Sequence, residues 1–120
     1  MEIRLEGLRS HKGVILACLS RNPAMFLKCD RDLAAYKARI PADGQTALHF
    51  TGVAPGDYAL AVVHDENSNS RVDKMLGIPK EGVGFSRNPV LMMGPPRFDA
   101  VQFHVADARV SQVVKLRYFL

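Results

Sequence analysis

The residues best placed to do chemistry lie in one polar stretch, where oxygen-bearing side chains recur at Asp65, Asn67, Asn69 and Asp73. Carboxylate and amide oxygens suit Ca²⁺, which takes about six to eight oxygen ligands. A tight loop with such a side chain at nearly every second position is able to wrap around the ion. The spacing therefore predicts a calcium site.

The stretch matches a helix-loop-helix calcium loop only in part, because that pattern has Gly at its sixth position and Glu at its twelfth. Here Ser70 and Leu76 stand at those positions. We expect the remaining ligands to come from the Arg71 carbonyl, from water and from Glu81. With two or three carboxylates, the expected dissociation constant is about 10⁻⁴–10⁻³ M.

The alternative is a solvated turn, since Asp, Asn and Ser bond their own backbone and collect in loops without any ion. We favour the cation because the alternation is more regular than a turn requires. Both interpretations stay open at the level of sequence.

The elements around this stretch are strands, because apolar residues recur with a period of two. The segments lie at residues 2–6, 13–19, 37–40, 46–51, 56–64, 101–105 and 114–118. Two of them, 13–19 and 56–64, are continuous apolar runs, as in strands covered on both faces. The pattern predicts an all-β protein, a single-domain antiparallel β-sandwich spanning residues 1–120.

One connection, at about residues 65–97, is unusually long, and loops of that length are usually functional. It carries many apolar residues, which a disordered linker lacks. We expect an ordered excursion that packs on the sandwich. Its predicted inward side chains are Ile78, Val83 and Phe85, and its predicted turn residues are Gly82 and Gly84.

Smaller signals concern a corner and a cysteine pair. Pro55-Gly56 turns the chain into its central strand, and Tyr58 is predicted to hydrogen-bond back over that corner. Cys18 and Cys29 are the only two cysteines. They form a disulfide if the protein is exported or remain unpaired thiols, and the sequence leaves that choice open.

Composition excludes some functions. The net charge is +4, but the basic residues are scattered, whereas a nucleic-acid site clusters them. No apolar stretch reaches the length of a membrane span. The first strand pattern begins almost at Met1, which we interpret as a chain whose leader has been removed.

The centre of the chain resembles a bacterial family of exported domains of unknown function. The motifs that carry the resemblance are Pro55-Gly56-Asp57-Tyr58, residues 64–69 (HDENSN), Asp73, residues 77–88 (GIPKEGVGFSRN) and Gly94-Pro95-Pro96. The resemblance implies a transthyretin-like or immunoglobulin-like sandwich in the periplasm or outside the cell. It implies no known activity. Ser68 and Ser70 stand where the family usually has Gly.

Two classes of function remain. The first is a non-catalytic exported module whose calcium-stiffened loop presents a binding surface for a protein, a glycan or a cell-envelope component. The second is a small hydrolase or carbohydrate-processing protein that uses residues 64–88 as an active-site wall. The first is favoured because Ser86 lacks a nucleophile-elbow context and Cys18 lies in an apolar strand. Convergence of His64, Glu81 and Ser86 would favour the second.

Overall fold

The computed structural model describes residues 1–26, 29–43, 47–66, 74–75, 78–79, 81–90, 96–107 and 109–118. Two sheets pack face to face. The strands are β1 (Glu2–Glu6), β2 (Val14–Ser20), β3 (Tyr36–Pro41), β4 (Ala47–His49), β5 (Gly56–Asp65), β6 (Lys74–Met75), β7 (Ile78–Pro79), β8 (Gly82–Phe85), β9 (Phe103–Val105) and β10 (Ser111–Lys115). A 3₁₀ turn at Cys29–Arg31 and the short helix α1 (Phe98–Val101) complete the described elements. No described helix has the length and apolar character of a membrane span.

The small sheet has the order β10-β1-β4, and the large sheet has the order β3-β2-β5-β8, with β9 also pairing with β5. Strands β6 and β7 pair with each other and form a separate two-stranded sheet. The β-sandwich is therefore confirmed. Its pairing is not purely antiparallel, because β1 and β10 run parallel. The two strands are far apart in sequence, so no tight hairpin forces them to be antiparallel.

The core between the sheets is built by alternate residues of each strand. Ile3 and Leu5 of the small sheet face Ile15, Leu19 and the inward residues of β5. These side chains are 0–5% exposed, so each removes nearly all of its apolar area from water. The opposite face of the small sheet is charged, which is the ordinary result of period-two alternation.

The outer face of the large sheet carries a second apolar cluster, which explains why β5 is a continuous apolar run. Phe26, Ala59, Phe85 and Val101 form this cluster. Phe26 lies edge-on to Phe85, with ring centroids 5.9 Å apart. The expected packing of Val83 and Phe85 onto the sandwich is confirmed, since Phe85 is 8% exposed and Val83 packs against the cluster, but both lie on the outer face of the large sheet and not between the sheets. The side chain of Ile78 lies outside the described residues.

Cys18 and Cys29 form a disulfide with their Cα atoms 6.2 Å apart. Cys18 belongs to β2 and Cys29 begins the 3₁₀ turn. The bond therefore fastens the connection between β2 and β3 over the outer face of the large sheet. The choice that the sequence left open is decided in favour of pairing.

Residues 65–97 are more than a loop, because they contain β8, a full member of the large sheet. Sequence analysis missed this strand because Gly82-Val83-Gly84 offers no alternation. The two glycines do not form the expected turns. A Cβ on Gly82 would lie 2.4 Å from the Tyr118 ring, and one on Gly84 would lie 2.6 Å from Val114. Both glycines instead let the C-terminal part of the chain approach β8 closely.

Strands β8 and β9 pair with successive parts of β5, and Ser86 lies at the junction between them. β8 pairs with residues 61–64 of β5, whereas β9 pairs with residues 56–58. Ser86 donates its hydroxyl to the Val101 carbonyl at 2.5 Å and accepts the Leu60 N–H at 3.1 Å. The buried Ser86 hydroxyl therefore links the end of β8 to the end of α1, the two points between which residues 87–100 run.

Two further contacts join the sheets beside β8. Val83 and Arg117 exchange backbone hydrogen bonds of 3.0 and 2.8 Å. Asn88 donates its amide to the Val113 carbonyl and accepts the Lys115 N–H, both at 2.8 Å. The Asn88 side chain thus makes two hydrogen bonds to the β10 backbone of the kind that a neighbouring strand makes.

The predicted corner is confirmed. The Tyr58 hydroxyl donates to the Ala54 carbonyl at 2.6 Å across the turn that leads into β5. Burial raises the pKa of Tyr58, which agrees with a phenol enclosed by the core.

Replacing Ser86 with Ala should lower the free energy of unfolding by about 1–3 kcal/mol, because Leu60 N–H and Val101 C=O lose their buried partner. Denaturant unfolding measures the loss. Ser111→Ala, at an exposed strand position, is the matched control. Equal losses for the two variants would show that the Ser86 hydroxyl does not hold the junction.

Candidate metal site at the end of the central strand

The pairing of β5 with β8 stops one position short of Asp65 and Glu81. The last recorded pair is His64 with Gly82, so the next opposed positions in this antiparallel register are Asp65 and Glu81. Both residues are buried, at 0% and 4% exposure. Residues 66–80 thus leave the sheet at one buried carboxylate and return to it at another.

Of the predicted ligands, the structure describes Asp65 and Glu81, each one position beyond the last β5–β8 pair. Asn67, Asn69, Arg71 and Asp73 lie outside the described residues. Within the ranges that the structure describes, no group of three or more His, Cys, Asp or Glu side chains is arranged to hold a metal ion. The calcium site therefore stays a prediction, with two of its six residues located.

His64, beside Asp65, is fully buried and holds two distant segments together. Its Nε2 lies 2.8 Å from the Lys12 carbonyl oxygen, and its Nδ1 lies 2.6 Å from the Tyr118 hydroxyl. Since a carbonyl only accepts, Nε2 carries the proton, and in the neutral ring Nδ1 accepts from Tyr118. His64 thus braces the chain next to the candidate site, as a structural histidine.

Tyr118 is the second member of this network. Its hydroxyl also accepts the Arg9 N–H at 3.2 Å. Burial raises the pKa of Tyr118, since its environment disfavours the phenolate. A neutral hydroxyl that donates to one partner and accepts from another is the state that the geometry requires.

Arg9 contacts both Tyr118 and Glu66 at this end of the sandwich. Its guanidinium lies 4.5 Å from the centroid of the Tyr118 ring, and its Nε donates to Glu66 at 3.0 Å. The hydrogen bond with Glu66 raises the pKa of Arg9, and the nearby charge of Glu81 acts in the same direction. Glu66 also accepts from the Ser10 hydroxyl at 2.8 Å. Hydrogen bonding to Arg9 lowers the pKa of Glu66, so Glu66 stays ionised beside Asp65.

The segment that carries Arg9 and Ser10 reaches the end of β5 because of one glycine. Gly13 has a φ of +73°, and a Cβ there would lie 2.0 Å from the Asp65 carbonyl oxygen. Any side chain at this position would push the segment away. The close approach is what places Arg9 against Glu66.

The residues of the hydrolase alternative do not converge. Ser86 lies opposite Leu60, four positions from His64 along β5. At about 3.3 Å per residue, this separation is roughly 13 Å. The hydroxyl of Ser86 is fully buried and is engaged by Leu60 and Val101. It has a structural role.

Sequence reasoning missed Arg9, Glu66 and Tyr118. Tyr118 appeared only as the last apolar position of the alternating terminal strand, and Arg9 appeared as a scattered surface charge. The available signal was Gly7 and Gly13 on either side of Arg9, since closely spaced glycines often mark a segment that packs near other backbone. That signal identifies no partner.

Replacing Tyr118 with Phe should lower the free energy of unfolding by about 1–3 kcal/mol, because the buried His64 Nδ1 loses its donor while the ring packing stays. Thermal or denaturant unfolding measures this loss. Tyr36→Phe is the control, since that hydroxyl makes its contacts at exposed positions. If the two variants lose equally little, the His64–Tyr118 bond does not brace this end.

Replacing Glu66 with Gln should lower the free energy of unfolding by up to about 1 kcal/mol at neutral pH, because the ion pair with Arg9 is partly exposed. The pKa of Glu66 is lowered by folding, so its stabilising effect is present above its usual pKa of 4.5. The effect is lost as the pH falls through the lower, folded value. The wild type and the variant should therefore converge in acid.

Unfolding curves from neutral pH to about pH 3 test this sign, since that window spans the usual carboxyl range. Glu6→Gln, at an exposed position, controls for the loss of one negative charge. A Glu66→Gln deficit that persists unchanged in acid would contradict the ion-pair explanation.

Comparison with known proteins places the chain in one family. Residues 3–113 match the family model described as "Uncharacterized protein conserved in bacteria (DUF2141)", and the chain belongs to that family. No curated protein and no solved structure matches the chain. The description of this family assigns no activity.

Proposed function

Starting from this bacterial family, we propose that the protein is a non-catalytic, exported β-sandwich module in which Ca²⁺ stiffens residues 66–80. The stiffened segment presents a surface that binds a protein, a glycan or another cell-envelope component. One observation carries the proposal. Asp65 and Glu81 are buried at opposed positions, where the segment leaves and re-enters the sheet.

The charges of Asp65 and Glu81 are the reason to expect a cation here. Two carboxylates on neighbouring strands repel each other, and burial strengthens the repulsion because little water screens it. A divalent cation offsets that repulsion and uses the same oxygens as ligands. Asn67, Asn69, the Arg71 carbonyl and Asp73 would supply further oxygens from the intervening segment.

The surroundings support a rigid base for such a site. His64 is held at both ring nitrogens, and Glu66 is held by Arg9 and Ser10. Asp65 lies between these two anchored residues. A ligand held by fixed neighbours loses less conformational freedom when an ion binds.

The export part of the proposal is supported by the Cys18–Cys29 bond, because disulfides persist mainly outside the reducing cytosol. The non-catalytic part is supported by the structural engagement of Ser86 and Cys18. No described contact favours the hydrolase alternative.

Calcium should stabilise the domain by about 2.7 kcal/mol at a hundredfold excess over the dissociation constant. Asp65→Asn should abolish this gain, and Glu81→Gln should reduce it, because each removes a charged ligand and keeps the side-chain shape. Calorimetric titration and melting curves in millimolar Ca²⁺ measure the effect. Mg²⁺ should stabilise far less, because it dehydrates reluctantly.

Asp99→Asn, on the exposed start of α1, is the matched control and should keep the full response. Absence of both heat and a melting shift in the wild type would contradict the calcium site. A response that Asp65→Asn leaves intact would place the ion elsewhere.

A further inference from the structure

A second surface stands out at the other end of β5 from the candidate metal site. Between positions 21 and 39 the sequence holds five basic and two acidic residues, so most of the net charge of +4 lies in this stretch. In the structure this stretch includes the end of the β2–β3 connection and the edge strand β3. At its tip, Leu33 is 97% exposed.

Leu33 is exposed because hydrogen bonds of Asp32 and the disulfide at Cys29 fix the backbone of its turn. Asp32 is buried and accepts the hydroxyl of Ser20 at 2.7 Å. Its other carboxylate oxygen accepts the Ala34 N–H at 3.1 Å, and its carbonyl accepts the Ala35 N–H at 3.2 Å. The disulfide fixes the preceding turn at Cys29. A leucine held in water by a pinned turn is not free to fold back onto the core.

Three exposed basic residues lie on the same turn and on the strand that follows this leucine. Arg31 ends the 3₁₀ turn and is exposed, and Lys37 and Arg39 are exposed on β3. Lys37 pairs in register with Cys18, and Arg39 pairs with Leu16. The two residues therefore lie on the outer face, the face that carries the disulfide. None of the three forms an ion pair within the described part of the chain.

We propose that this turn and strand, Arg31, Leu33, Lys37 and Arg39, form a docking surface for the anionic headgroup layer of a phospholipid membrane. An exposed apolar side chain on a turn that is accompanied by exposed basic residues fits the interface of such a bilayer. The leucine enters the acyl boundary while the cations stay with the phosphates. The surface is separate from the metal site, so it does not rest on calcium binding.

The basic residues favour an anionic partner. The exposed leucine favours a membrane over a soluble polyanion. Each Lys or Arg near an anionic membrane strengthens binding about fivefold. An acidic peptide or another polyanion would use the same cations but would gain little from a projecting leucine. The experiment therefore has to separate the two contributions.

Co-sedimentation with phosphatidylglycerol–phosphatidylcholine vesicles should show binding that is absent with phosphatidylcholine alone and weakens with salt. Removing three charges together (Arg31→Gln, Lys37→Gln, Arg39→Gln) should lower the affinity about a hundredfold. Leu33→Ser should lower it severalfold with the melting temperature unchanged. The control triple Arg97→Gln, Arg109→Gln, Arg117→Gln, with the same net charge, should lower it far less.

The chain has no tryptophan, so Leu33→Trp introduces a single reporter. Its emission should shift to the blue on anionic vesicles, whereas Val113→Trp, on the small sheet, should not shift. The proposal is overturned by absence of vesicle binding or by equal losses from the two triples. It is also overturned if Leu33→Ser binds as well as the wild type, since the surface would then fit a soluble polyanion.

Discussion

The structure depends on the pairing of β5 along both of its edges. β2 covers one edge from Ala59 to Asp65, and β8 and β9 share the other edge. The strand is also packed on both faces, since Leu60 and Val62 face the main core while Ala59 belongs to the outer cluster. Such a strand is not free to shift in register without moving every side chain to the wrong face.

This constraint fixes what happens where β5 ends. Asp65 is carried to a buried position by the register, and the same register brings Glu81 opposite it. Burying like charges side by side is costly unless opposite charge compensates for it. Arg9, whose pKa is raised by its hydrogen bond with Glu66 and by the nearby charge of Glu81, brings positive charge to this end, and we propose that a cation adds to it.

The family motifs divide into two structural roles. His64 and Glu66 hold the N-terminal and C-terminal segments against the end of β5. Ser86 holds the end of α1, and Asn88 holds β10, beside β8. These four polar residues are therefore structural supports, and Asp65 and Glu81 are buried within the same two motifs.

Much of the sandwich was predictable, because alternation and continuous apolar runs report directly on faces that are buried. β2, β5 and the Tyr58 corner all follow from residues that are neighbours in sequence. β8 was not predictable, because its glycines serve a close approach to residues near the C-terminus. The His64–Tyr118 bond spans 54 positions in sequence, and no local pattern identifies such a partner.

The same limit applies to the candidate site. The spacing from Asp65 to Asp73 suggested oxygen ligands, and Glu81 was chosen only as the nearest later carboxylate. The β5–β8 register, which leads toward Asp65 and Glu81, belongs to a strand that the sequence did not reveal. The most direct measurement is a crystal structure obtained in millimolar Ca²⁺. Our account predicts an ion within about 2.3–2.6 Å of carboxylate oxygens of both Asp65 and Glu81. Asp65 and Glu81 carboxylates bonded only to protein groups, with no ion between them, would contradict it.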